Sequence, residues 1–266
     1  MTTPARPRPD AGKPVLSLIM PCYNEEENVG YRIPRLLRAF EVAGHRVQVV
    51  AVNNGSVDRT GELIAELARA HPEVTLVTVP TNIGFGQGIL AGIPHCQAAW
   101  IGMVAADGQV DEEDVVRLFD AAHSANGPIL AKVRRRFRMD GPIRKVVSIG
   151  YNGFVRLLWP RLGSLDVNGN PRMMPREVLL AMQLESTNWL LDPEMLIKAQ
   201  YLGVRVLELN VFARMRGNGL SHVRASTCWE FALHLLKFRF APRYRRWRST
   251  LSLPSVPERH AAARPA

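Results

Sequence analysis

The chain has 266 residues, of which 47% are hydrophobic and 22% are charged, and its formal net charge is +10. This length and composition exclude a disordered chain and indicate one main globular domain. The positive charge implies an anionic partner and leaves nucleic acid, anionic lipid and phosphorylated substrates open. Cys22, Cys96 and Cys228 lack the paired spacing of a zinc site or a disulfide framework, so we expect a cytoplasmic protein.

The ends of the chain and its apolar stretches give a first division into segments. Residues 1–14 are proline-rich and lack the apolar middle of a secretory signal, which predicts a loose tail. The longest apolar stretch, residues 98–106, is about half of what a helix needs to cross a hydrocarbon core about 30 Å thick. We therefore predict a main domain at 15–223, a basic segment at 224–248, a second tail at 249–266 and no membrane span.

Short apolar strands alternate with helical patterns over the first 130 residues. The predicted strands are Val15–Met20, Val47–Val52, Val74–Val79 and Trp100–Ala105. This alternation predicts an α/β fold, a mainly parallel sheet with helices on both faces. Since ligands bind beyond the carboxyl ends of such strands, the loops that follow them form the candidate site.

All four of these loops carry polar side chains. They are Pro21-Cys22-Tyr23-Asn24-Glu25, Asn53-Asn54-Gly55-Ser56-Val57-Asp58, Asn82-Ile83-Gly84 and Asp107-Gly108-Gln109. Taken singly, such residues serve as turns and helix caps, and Asp107 would cap a helix predicted at 110–125. Four polar loops in succession at one sheet edge favour a binding site instead.

In this order, the four loops resemble those of family 2 glycosyltransferases, above all the branch that transfers mannose or glucose to dolichyl or polyprenyl phosphate. The resemblance covers about residues 16–223. It implies a GT-A fold, which is a Rossmann-like fold for nucleotide-diphospho-sugar transferases. It also implies inverting transfer of a hexose from a nucleoside diphosphate sugar to a polyprenyl phosphate, with Mg²⁺ or Mn²⁺ as cofactor.

By this resemblance, the first loops bind the donor. The implied nucleotide-sugar-binding residues are Pro21, Tyr23, Glu25, Asn53, Asn54, Ser56, Asp58, Asn82, Gly84 and Asp107. Family members usually have two aspartates where this chain has Asn53 and Asn54. A carboxylate accepts two hydrogen bonds from guanine, whereas an amide combines an acceptor with a donor. The base of the donor therefore stays open.

The implied metal ligands are Asp107 and Gln109. Ala105 stands where the family's Asp-x-Asp motif has its first carboxylate. One or two protein oxygens, together with substrate phosphates and water, suffice to bind Mg²⁺. We therefore expect a weakened metal site.

The basic run that follows the fourth strand is implied to bind the acceptor. Its cations are Lys132, Arg134, Arg135, Arg136, Arg138, Arg144 and Lys145. The resemblance assigns the acceptor phosphate to Arg134 and Arg144, with Ser221 farther along, and arginine suits this task because its planar fork pairs with phosphate oxygens. Such a phosphate is already anionic and needs no strong general base.

Catalytic roles are implied for Asp107, Arg216, Glu194 and Asp192. Glu194 is the better match to the family's acid near the sugar or acceptor, and Asp192 is the alternative if a non-lipid hydroxyl acceptor needs deprotonation. Either acid could instead cap a helix predicted at 194–202. Arg216 would stabilise charge on the leaving diphosphate. Asp166 and Asn168 would shape the sugar pocket.

The segment from Trp229 to Arg248 combines aromatic and aliphatic residues with a second basic cluster. Its cations are Lys237, Arg239, Arg243, Arg245, Arg246 and Arg248. This pattern is typical of a helix that lies on a membrane surface. We therefore expect peripheral association with the inner face of the cell membrane.

Three other interpretations compete with an active transferase. Gly84-x-Gly86-x-Gly88 resembles a dinucleotide fingerprint, but it follows the third strand and not the first. Nucleic-acid binding would account for the charge, but neither basic cluster has a recognisable reading motif, so we expect no nucleic-acid partner. A transferase fold kept only for binding or scaffolding is compatible with the changes at Asn53, Asn54 and Ala105.

Overall fold

A computed structural model describes residues 12–138, 142–213 and 225–251. The strands are β1 (Leu16–Cys22), β2 (Val47–Asn54), β3 (Val74–Val79), β4 (Trp100–Met103), β5 (Ile129–Arg138), β6 (Arg172–Pro175) and β7 (Arg205–Ala213). The helices are α1 (Glu26–Val42), α2 (Thr60–Ala70), α3 (Phe85–Gly92), α4 (Glu112–His123), α5 (Pro142–Leu158), α6 (Arg176–Met182), α7 (Leu191–Tyr201), α8 (Ala225–Phe240) and α9 (Pro242–Thr250). A short 3-10 helix, Ile93–His95, follows α3.

In the part of the chain that the structure describes, all seven strands belong to one sheet, in the order β3-β2-β1-β4-β6-β5-β7. Strand β1 is parallel to both β2 and β4. Strand β6 is antiparallel to β4 and β5, whereas β7 is parallel to β5. The predicted α/β fold is confirmed, and the strand order reverses beside β1, where such sheets bind ligands.

Each face of the sheet is covered by its own hydrophobic core. Leu16, Leu18 and Met20 of β1 pack in the first core with α1 and α4, and Ile19 packs in the second core with α3 and α7. Burial on both faces explains why the parallel strands are almost continuously apolar in sequence.

The C-terminal segment is helical and shares the second core. Leu235 of α8 and Tyr244 and Trp247 of α9 are buried there, and Trp247 donates a hydrogen bond from Nε1 to the Ala181 carbonyl oxygen at 3.2 Å. Residue 223 therefore does not mark the end of the hydrophobic core. Among the described residues, no helix is both long enough and apolar enough to cross a bilayer.

Candidate active site

The loops after β1 and β2 are joined by hydrogen bonds between backbone amides and side chains. Ser56 Oγ accepts from the Asn24 amide at 3.1 Å, and Asp58 Oδ2 accepts from the Glu26 amide at 3.2 Å. Partial burial raises the pKa of Asp58, but hydrogen bonds from Thr60 and the Glu26 amide outweigh it and lower that pKa. Ser56 and Asp58 thus fix the loop that carries Tyr23 and Glu25.

The asparagines after β2 connect this pair of loops to the loop after β3. Asn53 Oδ1 accepts from the Ser56 amide at 3.2 Å, and Asn54 Nδ2 donates to the Gly84 carbonyl oxygen at 3.0 Å. Gly55 has φ +74°, and a Cβ there would lie 2.5 Å from the Asn82 nitrogen, so only glycine fits. The three predicted donor loops therefore contact one another at the sheet edge.

The turn after β4 carries Asp107. Asp107 Oδ1 accepts from the Gln109 amide at 3.2 Å, and α4 begins later, with Asp111 as its N-cap residue. The alternative in which Asp107 caps this helix is therefore wrong. Arg32 of α1 is buried and donates to the Val110 carbonyl oxygen at 2.8 Å, which ties the end of this turn to α1.

The Asp107 turn can hold a metal that arrives with the substrate. The described residues contain no group of three or more His, Cys, Asp or Glu side chains that could hold an ion by themselves. Asp107 and Gln109, separated by Gly108, supply one carboxylate and one carboxamide in the same turn. A hard cation bound mainly through phosphates and water needs no more than this, so the residues fit Mg²⁺ or Mn²⁺ with a nucleotide diphosphate.

Beyond β4, two buried cations, Lys132 and Arg172, and the partly buried Arg135 contact residues 166–169. Four consecutive backbone carbonyl oxygens of this segment accept hydrogen bonds from them. The pairs are Lys132 with Asp166, Arg172 with Val167 at 2.6 Å, Arg135 with Asn168 at 2.8 Å and Arg172 with Gly169 at 2.9 Å. Buried cations are compensated by several acceptors, so these hydrogen bonds stabilise the segment in the position observed.

The ionisation of this cluster follows from its pairing. Arg135 binds both carboxylate oxygens of Asp166, each at 3.0 Å. Burial raises the pKa of Asp166, but the bond and charge of Arg135 outweigh it and hold that pKa well below its usual range. Burial, with the nearby charge of Arg172, lowers the pKa of Lys132 to about 8.

Asp192 lies beside this cluster, whereas Glu194 has different partners. Helix α7 begins at Leu191, so neither acid is its N-cap, and the predicted start at 194 is wrong. Asp192 pairs with Arg172 at 3.1 Å, and burial raises its pKa despite that cation. Burial lowers the pKa of Arg135, but the hydrogen bond and charge of Asp166 outweigh it and raise that pKa. The charges of Asp192 and Asp107 add smaller contributions in the same direction. Asp107, Arg135 and Asp192 therefore share one electrostatic neighbourhood.

The predicted acceptor residues are only partly within the described structure. Arg134 is partly buried on β5 and pairs in register with Asn210 of β7. Arg144 falls in α5 at a position whose side chain is not described, and Arg216 and Ser221 lie outside the described residues. The acceptor site at Arg134, Arg144 and Ser221, and the catalytic role of Arg216, therefore remain predictions.

The sequence assigned no individual role to Arg135 or Arg172, whose hydrogen bonds and ion pairs hold Asp166, Asp192 and residues 167–169 in place. Arg172 is fully buried at the start of β6, directly before the apolar pair Met173 and Met174. A cation in an apolar strand requires a buried partner, so its position was the available signal. Arg135 was visible only as one of several cations in the basic run.

Comparison with known proteins places this geometry in a family. The model for glycosyl transferase family 2 matches residues 17–181. The chain therefore belongs to glycosyl transferase family 2.

Two relatives and one solved structure illustrate the similarity. Over 220 residues the chain is 29% identical to a dolichyl-phosphate beta-glucosyltransferase of Trichomonas vaginalis, covering 76% of this chain and 66% of that protein. Over 143 residues it is 32% identical to the undecaprenyl-phosphate 4-deoxy-4-formamido-L-arabinose transferase of Pectobacterium carotovorum, covering 53% of this chain and 43% of that protein. The chain thus spans two thirds or less of the length of these two relatives.

Glucosyl-3-phosphoglycerate synthase of Mycobacterium tuberculosis, solved with Mn²⁺, uridine diphosphate and glucosyl-3-phosphoglycerate, has the same fold. It superposes with a TM-score of 0.66 at 16% identity, covering 85% of this chain and 80% of that one. This likeness confirms the predicted GT-A fold.

Proposed function

We propose that this protein transfers a hexose from a uridine diphosphate hexose to a polyprenyl phosphate, with Mg²⁺ or Mn²⁺ bound to the donor diphosphate. The observation that carries the proposal is the sheet edge beside β1, where the interlocked donor loops and the Asp107 turn meet. Asp107 there shares an electrostatic neighbourhood with Arg135 and Asp192. The named activities of the polyprenyl-phosphate relatives support the choice of acceptor.

The side chains after β2 favour uridine over guanosine. Asn54 Nδ2 is bonded to Gly84, and Asn53 Oδ1 is bonded to the Ser56 amide. An ionised carboxylate could accept both N–H groups of a guanine edge, but an amide has a single acceptor oxygen. Uracil presents one N–H flanked by carbonyl oxygens, which suits an amide-lined pocket. The structural neighbour that holds uridine diphosphate is consistent with this choice.

Transfer by this site requires little proton chemistry. A phosphate acceptor attacks as an anion, so the chain has to orient it and stabilise the departing diphosphate. Asp107 and Gln109 would hold the metal, which neutralises negative charge on the diphosphate when it is bound. Asp192 is paired with the buried Arg172, so we assign it to orienting that cation and not to deprotonating the acceptor. Attack on the face opposite the leaving group gives inversion.

A transfer assay with two matched lipids tests the proposal. The purified protein is incubated with UDP-glucose, Mn²⁺ and either a polyprenyl phosphate or the corresponding polyprenol, and the lipids are analysed by mass spectrometry. We expect a hexosylated product from the phosphate alone. Glucosylation of the alcohol would instead indicate a hydroxyl acceptor. Nucleotide binding without turnover of any sugar donor would indicate a scaffold protein.

Donor choice predicts a difference in thermal stabilisation. With Mn²⁺ present, UDP at 100 times its dissociation constant should add about 2.7 kcal/mol to the free energy of unfolding, since it binds only the folded state. GDP at the same concentration should add much less, because Asn53 and Asn54 do not provide two carboxylates. Thermal shift measurements with both nucleotides check this, and equal or greater stabilisation by GDP would contradict the uridine assignment.

We also propose that α9 contacts the membrane that holds the acceptor. Arg243, Arg245, Arg246 and Arg248 are exposed on α9, and Phe240, just before it, is 61% exposed. Helix α9 contains no acidic residue, so its cations can meet anionic headgroups while Phe240 enters the interface. We assign this contact to the cytoplasmic face of the membrane, whose lipids are anionic.

Replacing two of these arginines should weaken vesicle binding. The double change Arg245→Gln and Arg246→Gln should reduce binding to anionic vesicles about 30-fold, since each cation contributes about 1 kcal/mol near such a surface. The control is Arg38→Gln with Arg69→Gln, which removes the same charge from exposed positions on α1 and α2. Sedimentation with anionic and neutral vesicles checks this. Equal binding by both variants would rule out α9 as the contact.

A further inference from the structure

The segment at residues 183–189, which joins α6 to α7, packs against residues 84–88 at the start of α3, here called the glycine turn. Thr187 contributes its carbonyl oxygen as acceptor for the Gln87 amide at 2.8 Å. A Cβ at Gly86 would collide with the Ser186 carbonyl oxygen, so the two backbones are in close contact. Trp189 stacks on Phe85 with ring centroids 4.9 Å apart and planes 4° apart.

The glycine turn in question is also in contact with the donor loops. Gly84 accepts a hydrogen bond from Asn54 Nδ2 at 3.0 Å. A Cβ at Gly88 would lie 2.8 Å from Cβ of Pro21 and 3.3 Å from Asn54. The turn is therefore sandwiched between residues 183–189 and the loops assigned to the nucleotide. A shift of the segment would therefore move the glycine turn and the donor loops that it contacts.

Glu194 fixes the segment from the α7 side. Its carboxylate is 1% exposed and accepts from the amides of Glu185 at 3.2 Å and Ser186 at 2.9 Å. Lys198, one turn further along α7, pairs with Glu194 at 2.7 Å and donates to the Gln183 carbonyl oxygen at 2.8 Å. One buried ion pair thus binds three backbone groups of the segment.

Helix α9 supports the ion pair from its other side. The Lys198 ammonium lies 5.0 Å from the centroid of the Trp247 ring, within the range of a cation–π contact. Trp247 also donates to the Ala181 carbonyl oxygen at 3.2 Å, at the end of α6. Helix α9 and residues 183–189 therefore pack together through the Glu194–Lys198 pair.

We propose that Glu194 is a positioning residue for donor binding, which acts with Lys198 and Trp247 by holding residues 183–189 against the glycine turn. The inference rests on the proposed function, since it takes the loops after β1, β2 and β3 as the donor site. It differs from the catalytic role that the sequence suggests for Glu194. A general base affects the turnover number, whereas a positioning residue affects how tightly the donor binds.

Steady-state kinetics and calorimetry of variants distinguish these roles. Glu194→Gln keeps one acceptor oxygen but loses the charge, and we expect the dissociation constant of UDP with Mn²⁺ and the donor KM to rise about 10-fold. We expect kcat to stay within about three-fold and the acceptor KM to stay unchanged. Lys198→Met should give the same pattern, and the double variant should be much less impaired than the product of the single effects.

The opposite pattern would overturn the proposal. If Glu194 were a base, Glu194→Gln would lower kcat by about 100-fold or more without changing UDP affinity, and Lys198→Met would have little effect. Wild-type protein that binds no uridine nucleotide would refute the proposed function itself. If the wild-type protein binds UDP and both variants bind it equally tightly, only the proposed role of Glu194 is refuted.

Two glycine-to-alanine variants test the contact between residues 183–189 and the glycine turn without changing any charge. Gly86→Ala pushes against Ser186 from the α3 side, so we expect a higher donor KM with a retained kcat. Gly150→Ala in α5 is the matched control, because a Cβ there meets no atom within 4 Å. Should Glu194→Gln fail to fold, this pair decides the question. Equal donor KM values for the two alanine variants would contradict the proposal that residues 183–189 position the glycine turn for donor binding.

Discussion

Asp107→Asn is expected to lower kcat/KM for hexose transfer by about 1,000-fold while the protein remains folded. The Asp107 carboxylate accepts from the Gln109 amide, and under the proposed function its charge would hold a cation on the diphosphate. The substituted amide keeps an oxygen that can accept from the Gln109 amide, so the turn is preserved. Transfer rates measured over a Mn²⁺ titration check this.

Asp111→Asn is the matched control for this experiment. Asp111 is the N-cap residue of α4 and lies in the same connection, but it is not one of the proposed metal ligands, so its amide variant should keep wild-type activity within a few-fold. If both variants lose activity equally, the effect comes from loop structure and not from a metal ligand. Activity of Asp107→Asn with an unchanged metal requirement would exclude Asp107 as the ligand.

Arg172→Met is expected to lower the free energy of unfolding by about 3–5 kcal/mol. The guanidinium is fully buried and pairs with Asp192, so its removal leaves a buried carboxylate without its ion-pair partner. It also removes the donor for the carbonyl oxygens of Val167 and Gly169. Urea denaturation followed by circular dichroism measures the change.

Two further variants show whether the buried carboxylate is the cause. Arg38→Met removes an exposed arginine that is paired with Glu41, and it should cost no more than about 1 kcal/mol. Adding Asp192→Leu to Arg172→Met should restore part of the lost stability, because the uncompensated charge is removed. A stability of Arg172→Met within about 1 kcal/mol of wild type would contradict the network as described.

The sequence predicted the parallel half of the sheet closely because local patterns determine it. Val74–Val79 was predicted to the residue, and β1 and β2 each extend two residues beyond the predicted ends. Strand β4 ends at Met103, two residues before the predicted Ala105, although Val104 and Ala106 remain buried in the first core. Apolar periodicity therefore reports burial, whereas the end of the hydrogen-bonded ladder depends on the neighbouring strand.

The antiparallel half could not be predicted from local patterns. Strand β6 is four residues long and lies between β4 and β5, with which it pairs across long stretches of sequence. Its one charged residue, Arg172, is satisfied by Asp192 and by the carbonyl oxygens of Val167 and Gly169, which only the tertiary fold brings together. The ion pairs of Arg172 with Asp192 and of Arg135 with Asp166 could not be predicted for the same reason.

The two acids of α7 show how a small difference in helix start changes an assignment. The family resemblance marks both Asp192 and Glu194 and favours Glu194 as the acid near the sugar or acceptor. Residues two apart on a helix point in different directions. Because α7 begins at Leu191, Asp192 meets Arg172, whereas Glu194 meets the amides of the 183–189 segment.

We propose that the donor diphosphate and its metal bind at the Asp107 turn, on the sheet edge beside β1. Crystals grown with UDP and MnCl₂ and measured at the manganese absorption edge test it directly. We predict one strong anomalous peak within coordination distance of Asp107, with diphosphate density between it and the loops after β1 and β2. A peak elsewhere, or UDP bound away from this edge, would contradict the account.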